Sequence, residues 1–299
     1  MTKQELRIEL PSAFQRTAIV TGGASGIGQA LAEELASRDV FVVVADRQVE
    51  LGEQVAKGIR ERGGLAISVE LDVRNLDRFQ EVIEMVLGQH HRLDFLFNNA
   101  GIGVGGLAHD CHASDWNDLI DVNLRGTSNG ILAAYPLMIR QGFGHIVNTA
   151  SMAGLSPAPL AVIYSATKCG IVGLSRALRV EASRFGVKVS VLCPGLIRTD
   201  LLKGGRYGRF TSNIDPAWVA KAADILRPME AAEFARRALR EVERNRAIII
   251  EPKLWRLQWY LERISPSLVE RINKYFLNRV LQQIHPPISC NTNVRCGIS

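Results

Sequence analysis

Ser151, Tyr164 and Lys168 have the types and spacing that allow proton chemistry. Tyr164 and Lys168 stand four residues apart in Tyr164-Ser165-Ala166-Thr167-Lys168. On a helix that spacing puts them on one face, about 5–6 Å apart at Cβ. A phenol with a pKa of about 10 is a poor base near neutrality, and a neighbouring ammonium favours its ionised form. Bringing such a phenol to about 7 takes roughly 4 kcal/mol of differential stabilisation. Ser151 lies thirteen residues before Tyr164, just after Asn148-Thr149-Ala150, and its hydroxyl can both donate and accept at the same centre. The spacing alone is equally that of a surface helix contact. Its weight comes from where the residues fall.

A second constellation is Thr21-Gly22-Gly23-Ala24-Ser25-Gly26-Ile27-Gly28, set between an apolar run and a helical pattern. Glycines let the backbone approach a pyrophosphate closely, and a helix N-terminus offers unpaired N–H groups to it. Asp46 ends the second apolar run, 18 residues after Gly28, where a carboxylate can accept from a ribose 2′-hydroxyl. A carboxylate there repels a 2′-phosphate, which favours NAD over NADP. Arg47 is the adjacent residue able to accept that phosphate, and no basic residue lies within the turn. Asp72-Val73 and Asn98-Asn99-Ala100-Gly101 follow the third and fourth apolar runs on the same edge. Each is, taken singly, equally an ordinary polar turn.

The elements that must position these residues alternate along most of the chain. Strands are expected at 17–20, 41–45, 66–69, 94–97, 145–149, 187–192 and 247–250, with helices near 26–37, 49–62, 76–89, 115–139, 164–185 and 230–243. Consecutive apolar residues, as in Phe41-Val42-Val43-Val44, suit a sheet covered on both faces. The alternation implies an α/β fold, a doubly wound parallel sheet of about seven strands with right-handed crossovers. Residues 200–228 interrupt the rhythm with a glycine-rich, basic start that then turns helical, at a strand end where such sheets place ligands.

Together these segments resemble the classical short-chain dehydrogenase/reductase family from about Thr17 to Ile250, through TGGASGIG, NNAG, the serine, YSATK, and Pro194-Gly195 with Ile197 and Thr199 beyond. The resemblance implies a Rossmann-type fold and a nicotinamide cofactor. Tyr164 would be the general acid/base, with Ser151 bonding the substrate oxygen and steadying the phenolate. Lys168 would bind the nicotinamide ribose and depress the tyrosine pKa, and Asn123 would hold a water continuing the proton relay. Asn99 and Val73 would contact the cofactor's ribose and adenine, beside Ala100, Gly101 and Asp72. Pro194, Gly195, Ile197 and Thr199 would face the nicotinamide and its carboxamide. Every one of these positions fits the pattern, so an intact enzyme is expected over a nucleotide-sensing binding protein on the same fold. The family also implies a homo-dimer or homo-tetramer built from the helices at 115–139 and 164–185.

Composition excludes several alternatives. The 299 residues are 47% hydrophobic and 22% charged, with a net charge of +6. The basic residues form no dense run of the nucleic-acid type. Cysteines at 111, 169, 193, 290 and 296 show neither disulfide framework nor metal spacing, which points to reduced thiols, no metal and a cytoplasmic setting. The first residues (MTKQELRIELPSAF) lack a secretory apolar core, and no stretch approaches the ~20 apolar residues of a membrane span.

Residues 152–163 are almost uncharged and would wall the reacting centre, as suits a lipophilic small-molecule alcohol or ketone, or pack as ordinary core. Arg198, Lys203, Arg206 and Arg209 would steer an anionic tail or form a solvated basic face. The catalytic domain is expected over 1–251, an amphipathic helical extension over 252–285, and a polar, disordered tail over 286–299. In the extension Leu254, Leu257, Leu261 and Ile264 share a stripe flanked by Trp255 and Trp259, and a second helix carries Ile272, Phe276, Val280 and Ile284 on one side. Three roles compete for it: packing on the domain or an oligomer partner, peripheral membrane contact, or capping a substrate entrance.

Overall fold

The computed structural model describes residues 15–203, 207–211, 214, 216–225 and 227–284. The expectations for 1–14, Gly204, Gly205, Arg206 and the 286–299 tail lie outside these residues. Seven parallel strands form the central sheet: β1 (Thr17–Thr21), β2 (Phe41–Asp46), β3 (Ala66–Glu70), β4 (Phe95–Asn98), β5 (Gly144–Thr149), β6 (Val187–Pro194) and β7 (Ile248–Glu251). Their order is β7-β6-β5-β4-β1-β2-β3. The direction of winding reverses at β1, which pairs with β2 on one side and β4 on the other. A crevice opens outside the carboxyl ends of the strands at such a reversal, and ligands bind there.

Uninterrupted apolar runs follow from burial on both faces. Val42 and Val44 point into one core with α1 (Gly26–Ala36), α2 (Val49–Glu61) and α8 (Ala231–Glu243), while Val43 and Ala45 point into the other. That second core is filled from α3 (Leu76–His90), α5 (Gly126–Gln141) and the end of α6 (Val162–Ala182). The single helix expected over 115–139 is instead α4 (Ala113–Leu119), a wide π-turn at Ile120–Arg125, and then α5. Thr127 and Ser128 donate to the Asn123 and Leu124 carbonyls there. Such a local widening leaves no trace in hydrophobic periodicity.

The described part of the 200–228 segment contains α7 (Pro216–Ile225). Its Gly208–Phe210 stretch pairs in parallel with Gly103–Gly105. Beyond β7 the extension forms α9 (Trp255–Ile264) and α10 (Pro266–Ile284). No helix among the described residues is long and apolar enough to cross a membrane.

Candidate active site

The glycine turn is held by contacts that admit no side chain. Gly22 has φ +64°, and a Cβ on it would lie 2.8 Å from the Ala100 Cα. On Gly28 a Cβ would lie 2.0 Å from the Gly22 carbonyl oxygen and 2.6 Å from Asn99 Nδ2. Thr21 fastens this turn to the end of β4: its Oγ1 accepts from the Asn99 and Ala100 N–H groups at 2.9 and 3.0 Å. Asn99 Nδ2 returns a bond to the Thr21 carbonyl, and its Oδ1 accepts from Thr149 at the end of β5. Three strand ends are thereby clamped together. Ser25 precedes α1 without a side-chain cap, so its hydroxyl does not compete for the helix N–H groups; Ile27 is half-buried beside it.

Asp46 is buried, and its carboxylate accepts from the Ala24 N–H at 3.1 Å and the Gln48 N–H at 3.0 Å. Arg47 is exposed next to it. The Asp72 carboxyl is held below its ordinary range mainly by Arg74, which pairs with it at 2.5 Å, and also by the charge of Arg47. Val73 is buried against Gly126, leaving its backbone as the part able to meet a ligand.

At the centre, Lys168 is buried and its ammonium donates to the Thr149 carbonyl at 2.9 Å. Burial lowers its pKa from 10.5 to about 8. Its Nζ lies 5.5 Å from the centroid of the Tyr164 ring. The Tyr164 phenol is pushed above its ordinary value by burial, against which the Ser151 hydroxyl bond acts. The lowering expected from Lys168 is therefore not established by the chain's own groups as they stand. Ser151 Oγ also accepts from the Ala153 N–H at 3.1 Å, which fixes the serine at the start of a single helical turn.

Asn123 is fully buried in the π-turn. Its Oδ1 accepts from the Ile102 N–H at 2.9 Å, its Nδ2 donates to the Ile102 carbonyl at 3.0 Å, and its own carbonyl accepts from Thr127. The side chain thus braces the segment after β4. Gly101 stands between the two groups: a Cβ on it would lie 3.1 Å from Asn123 Oδ1 and 3.4 Å from Lys168 Nζ. A side chain there would crowd the lysine.

Beyond β6 the chain returns to the glycine turn, where a Cβ on Gly26 would meet Thr199 Cγ2 at 3.3 Å. Pro194 is buried, and the Ile197 side chain belongs to the core, so that residue can face a ligand only through its backbone. Gly195 was not expected to meet the extension. A Cβ on it would lie 2.3 Å from the Trp255 indole, which occupies the space a side chain there would need.

The expected basic face is neutralised where it is described. Arg198 pairs with Asp224 and Glu230, both at 2.7 Å, and Arg209 with Asp115 at 3.1 Å and Asp118 at 2.9 Å. The Lys203 side chain lies outside the described part. Two further residues were not foreseen: Tyr207, whose hydroxyl bonds Gln48 Nε2 beside Asp46, and Gln48 itself. They are 159 positions apart, and no local pattern links them.

A crevice with a glycine turn, a buried carboxylate at the end of β2, and a Ser–Tyr–Lys set opposite has the groups to hold a dinucleotide and move a proton. The sequence matches the model of the short chain dehydrogenase family over residues 16–207. The chain belongs to the short-chain dehydrogenase/reductase family. One relative, a 3-oxoacyl-[acyl-carrier-protein] reductase of Synechocystis, is 37% identical over 187 residues, 62% of this chain and 76% of that one. A short-chain dehydrogenase of Burkholderia phymatum solved with NAD superposes with a TM-score of 0.76 at 27% identity, over 87% of this chain and 96% of that one. A short-chain dehydrogenase of Sphingobium yanoikuyae solved with NADPH gives 0.71 at 27% identity, over 85% and 95%. The protein is an oxidoreductase of this family that takes a nicotinamide cofactor.

Proposed function

We propose that this oxidoreductase uses NAD(H) to interconvert an alcohol and a carbonyl on a lipophilic small molecule, with Tyr164 as the proton donor and acceptor. The observation that carries the reading is the buried Lys168 ammonium on the same helical face as a phenol already bonded to Ser151. A buried cation whose partner is a single carbonyl favours an anion nearby, and the ionised phenol is the group that gains.

The residues fit the cofactor. The close contacts at Gly22, Gly26 and Gly28 hold the turn tight against Ala100, Asn99 and Thr199, and the first turn of α1 behind it supplies N–H groups for a pyrophosphate. Asp46 keeps lone pairs for a ribose hydroxyl after accepting two backbone N–H bonds, whereas a 2′-phosphate would meet a buried negative charge. Asn99, Ala100, Gly101 and Thr199 would line its remaining length. When bound, the nicotinamide accepts or supplies the hydride. The protein's part is the proton: in oxidation Tyr164 removes it from the hydroxyl, and in reduction returns it to the oxygen. Ser151 holds that oxygen and steadies the phenolate. Lys168 offsets its charge and reaches the ribose, while Asn123 fixes the Ile102 segment beside them.

The lipophilic reading is supported by the apolar cluster that contains Tyr164: Val104, Leu119 and Ile163, with Ile102 and Cys111 against them. The name of the Synechocystis relative points the same way, toward acyl substrates. Self-association through α5 and α6 is supported by the exposure of Leu132 (58%) and Val180 (73%) on those helices. A dehydrogenase screen with NAD and NADP against sterols, retinoids, fatty alcohols and hydroxyacyl thioesters tests the proposal. Turnover with NAD on one such class supports it, and activity confined to NADP or to small polar alcohols would refute the corresponding part.

A further inference from the structure

The structure turns the C-terminal extension the opposite way from a simple amphipathic packing. Trp255 and Trp259 point inward and pack with Met152, Ile171 and Val172, and Gln258 and Glu262 both bond Ser156 Oγ. The aliphatic stripe faces out: Leu254 is 79% exposed, Leu257 69% and Ile264 82%. On α10 Val269 is buried, whereas Leu268, Ile272, Tyr275 and Phe276 are exposed, the last by 60%. Monomer surfaces rarely keep so many large apolar side chains in so short a stretch without a partner.

We propose that this outward face docks on an anionic lipid bilayer. Charge decides between a bilayer and a second copy of the chain. Residues 252–284 carry Lys253, Arg256, Arg263, Arg271, Lys274 and Arg279 against Glu262 and Glu270. Glu262 is turned inward to Ser156, which leaves the outer face still more positive. A two-fold contact would set this face against itself and bring like charges together. An anionic headgroup layer complements the cations while the apolar side chains enter the acyl boundary. On this outer face the Arg279 guanidinium lies over the exposed Tyr275 ring, 5.2 Å from its centroid, which keeps cation and apolar body together as an interface requires. The helices would lie on the surface, since neither can cross it. The inner side of α9 holds the loop that follows Ser151, so docking would set that loop close to the bilayer; the surface itself stands independently of the catalytic reading.

The test is co-sedimentation of the full chain with phosphatidylcholine vesicles and with vesicles containing about one-third phosphatidylglycerol, at low and high salt. The expected result is binding to the anionic vesicles, weakened by salt. A triple variant, Leu257→Gln with Ile264→Gln and Phe276→Gln, should lose about tenfold affinity per side chain. Arg271→Gln and Lys274→Gln should each cost about fivefold. All five positions are exposed, so unchanged circular dichroism and melting are expected of the variants. Absence of sedimentation, or equal binding by the triple variant, would overturn the proposal. A smaller molar mass of the triple variant in light scattering would also overturn it, by assigning the face to contacts between copies.

Discussion

Replacing Lys168 by Met should remove a contribution that raises the protein's stability between about pH 8 and about pH 10. The ammonium is buried, donates to the Thr149 carbonyl, and has no carboxylate within salt-bridge distance among the described residues. Its pKa falls from 10.5 in the unfolded chain to about 8 in the fold, which corresponds to about 3 kcal/mol. A depressed pKa means that the unfolded state binds the proton more tightly. Stability linked to this group is therefore complete above the unfolded value and lost as pH falls through about 8. Between about pH 8 and about pH 10 the wild type should gain about 2 kcal/mol that the variant does not. Tyr164 and Cys193, both raised by burial, work in the opposite direction at higher pH, but they do so in both proteins. The difference between the two proteins thus reports the lysine together with its action on Cys193, which its charge lowers. Urea unfolding across this range, with the midpoint and slope fitted at each pH, gives the number. Parallel curves for wild type and variant would refute the idea that Lys168 is a desolvated cation awaiting an anionic partner.

Two more outcomes follow from the cofactor site. Gly28→Ala places a methyl 2.0 Å from the Gly22 carbonyl, so NAD affinity measured by calorimetry should fall by at least about 100-fold, whereas a fall under about threefold would contradict the role given to the glycine turn. Asp46→Ala removes the charge that opposes a 2′-phosphate, and the ratio of kcat/KM with NAD to that with NADP should drop at least about tenfold. An unchanged ratio would place cofactor choice elsewhere.

Most of the fold is legible in the chain because its strands are buried on both faces. Runs such as Phe41–Asp46 carry their own signal, and the glycine turn follows the first of them immediately. The proximity of Tyr164 and Lys168 is equally local, fixed by one helix. What escaped detection depends on distant partners. Arg198 and Arg209 look like free cations in the sequence, but acquire carboxylates from Asp224, Glu230, Asp115 and Asp118 only when the chain closes. The helix at 113–141 hides a π-turn that costs no hydrophobic period. In the extension both faces are apolar, so periodicity alone does not say which turns inward. The gap at Gly195, filled by Trp255, decides it, and that gap belongs to a strand end 60 residues earlier.

The same chemistry gives the most direct test of the central claim. Tyr164→Phe removes the phenolic oxygen and leaves the ring to pack in its apolar cluster. With NAD and an alcohol that the wild type oxidises, steady-state kinetics should show kcat lower by about 10²–10⁴-fold. NAD affinity should stay within about tenfold of the wild type. Turnover within a few-fold of the wild type across the pH range would mean that Tyr164 does not carry the proton.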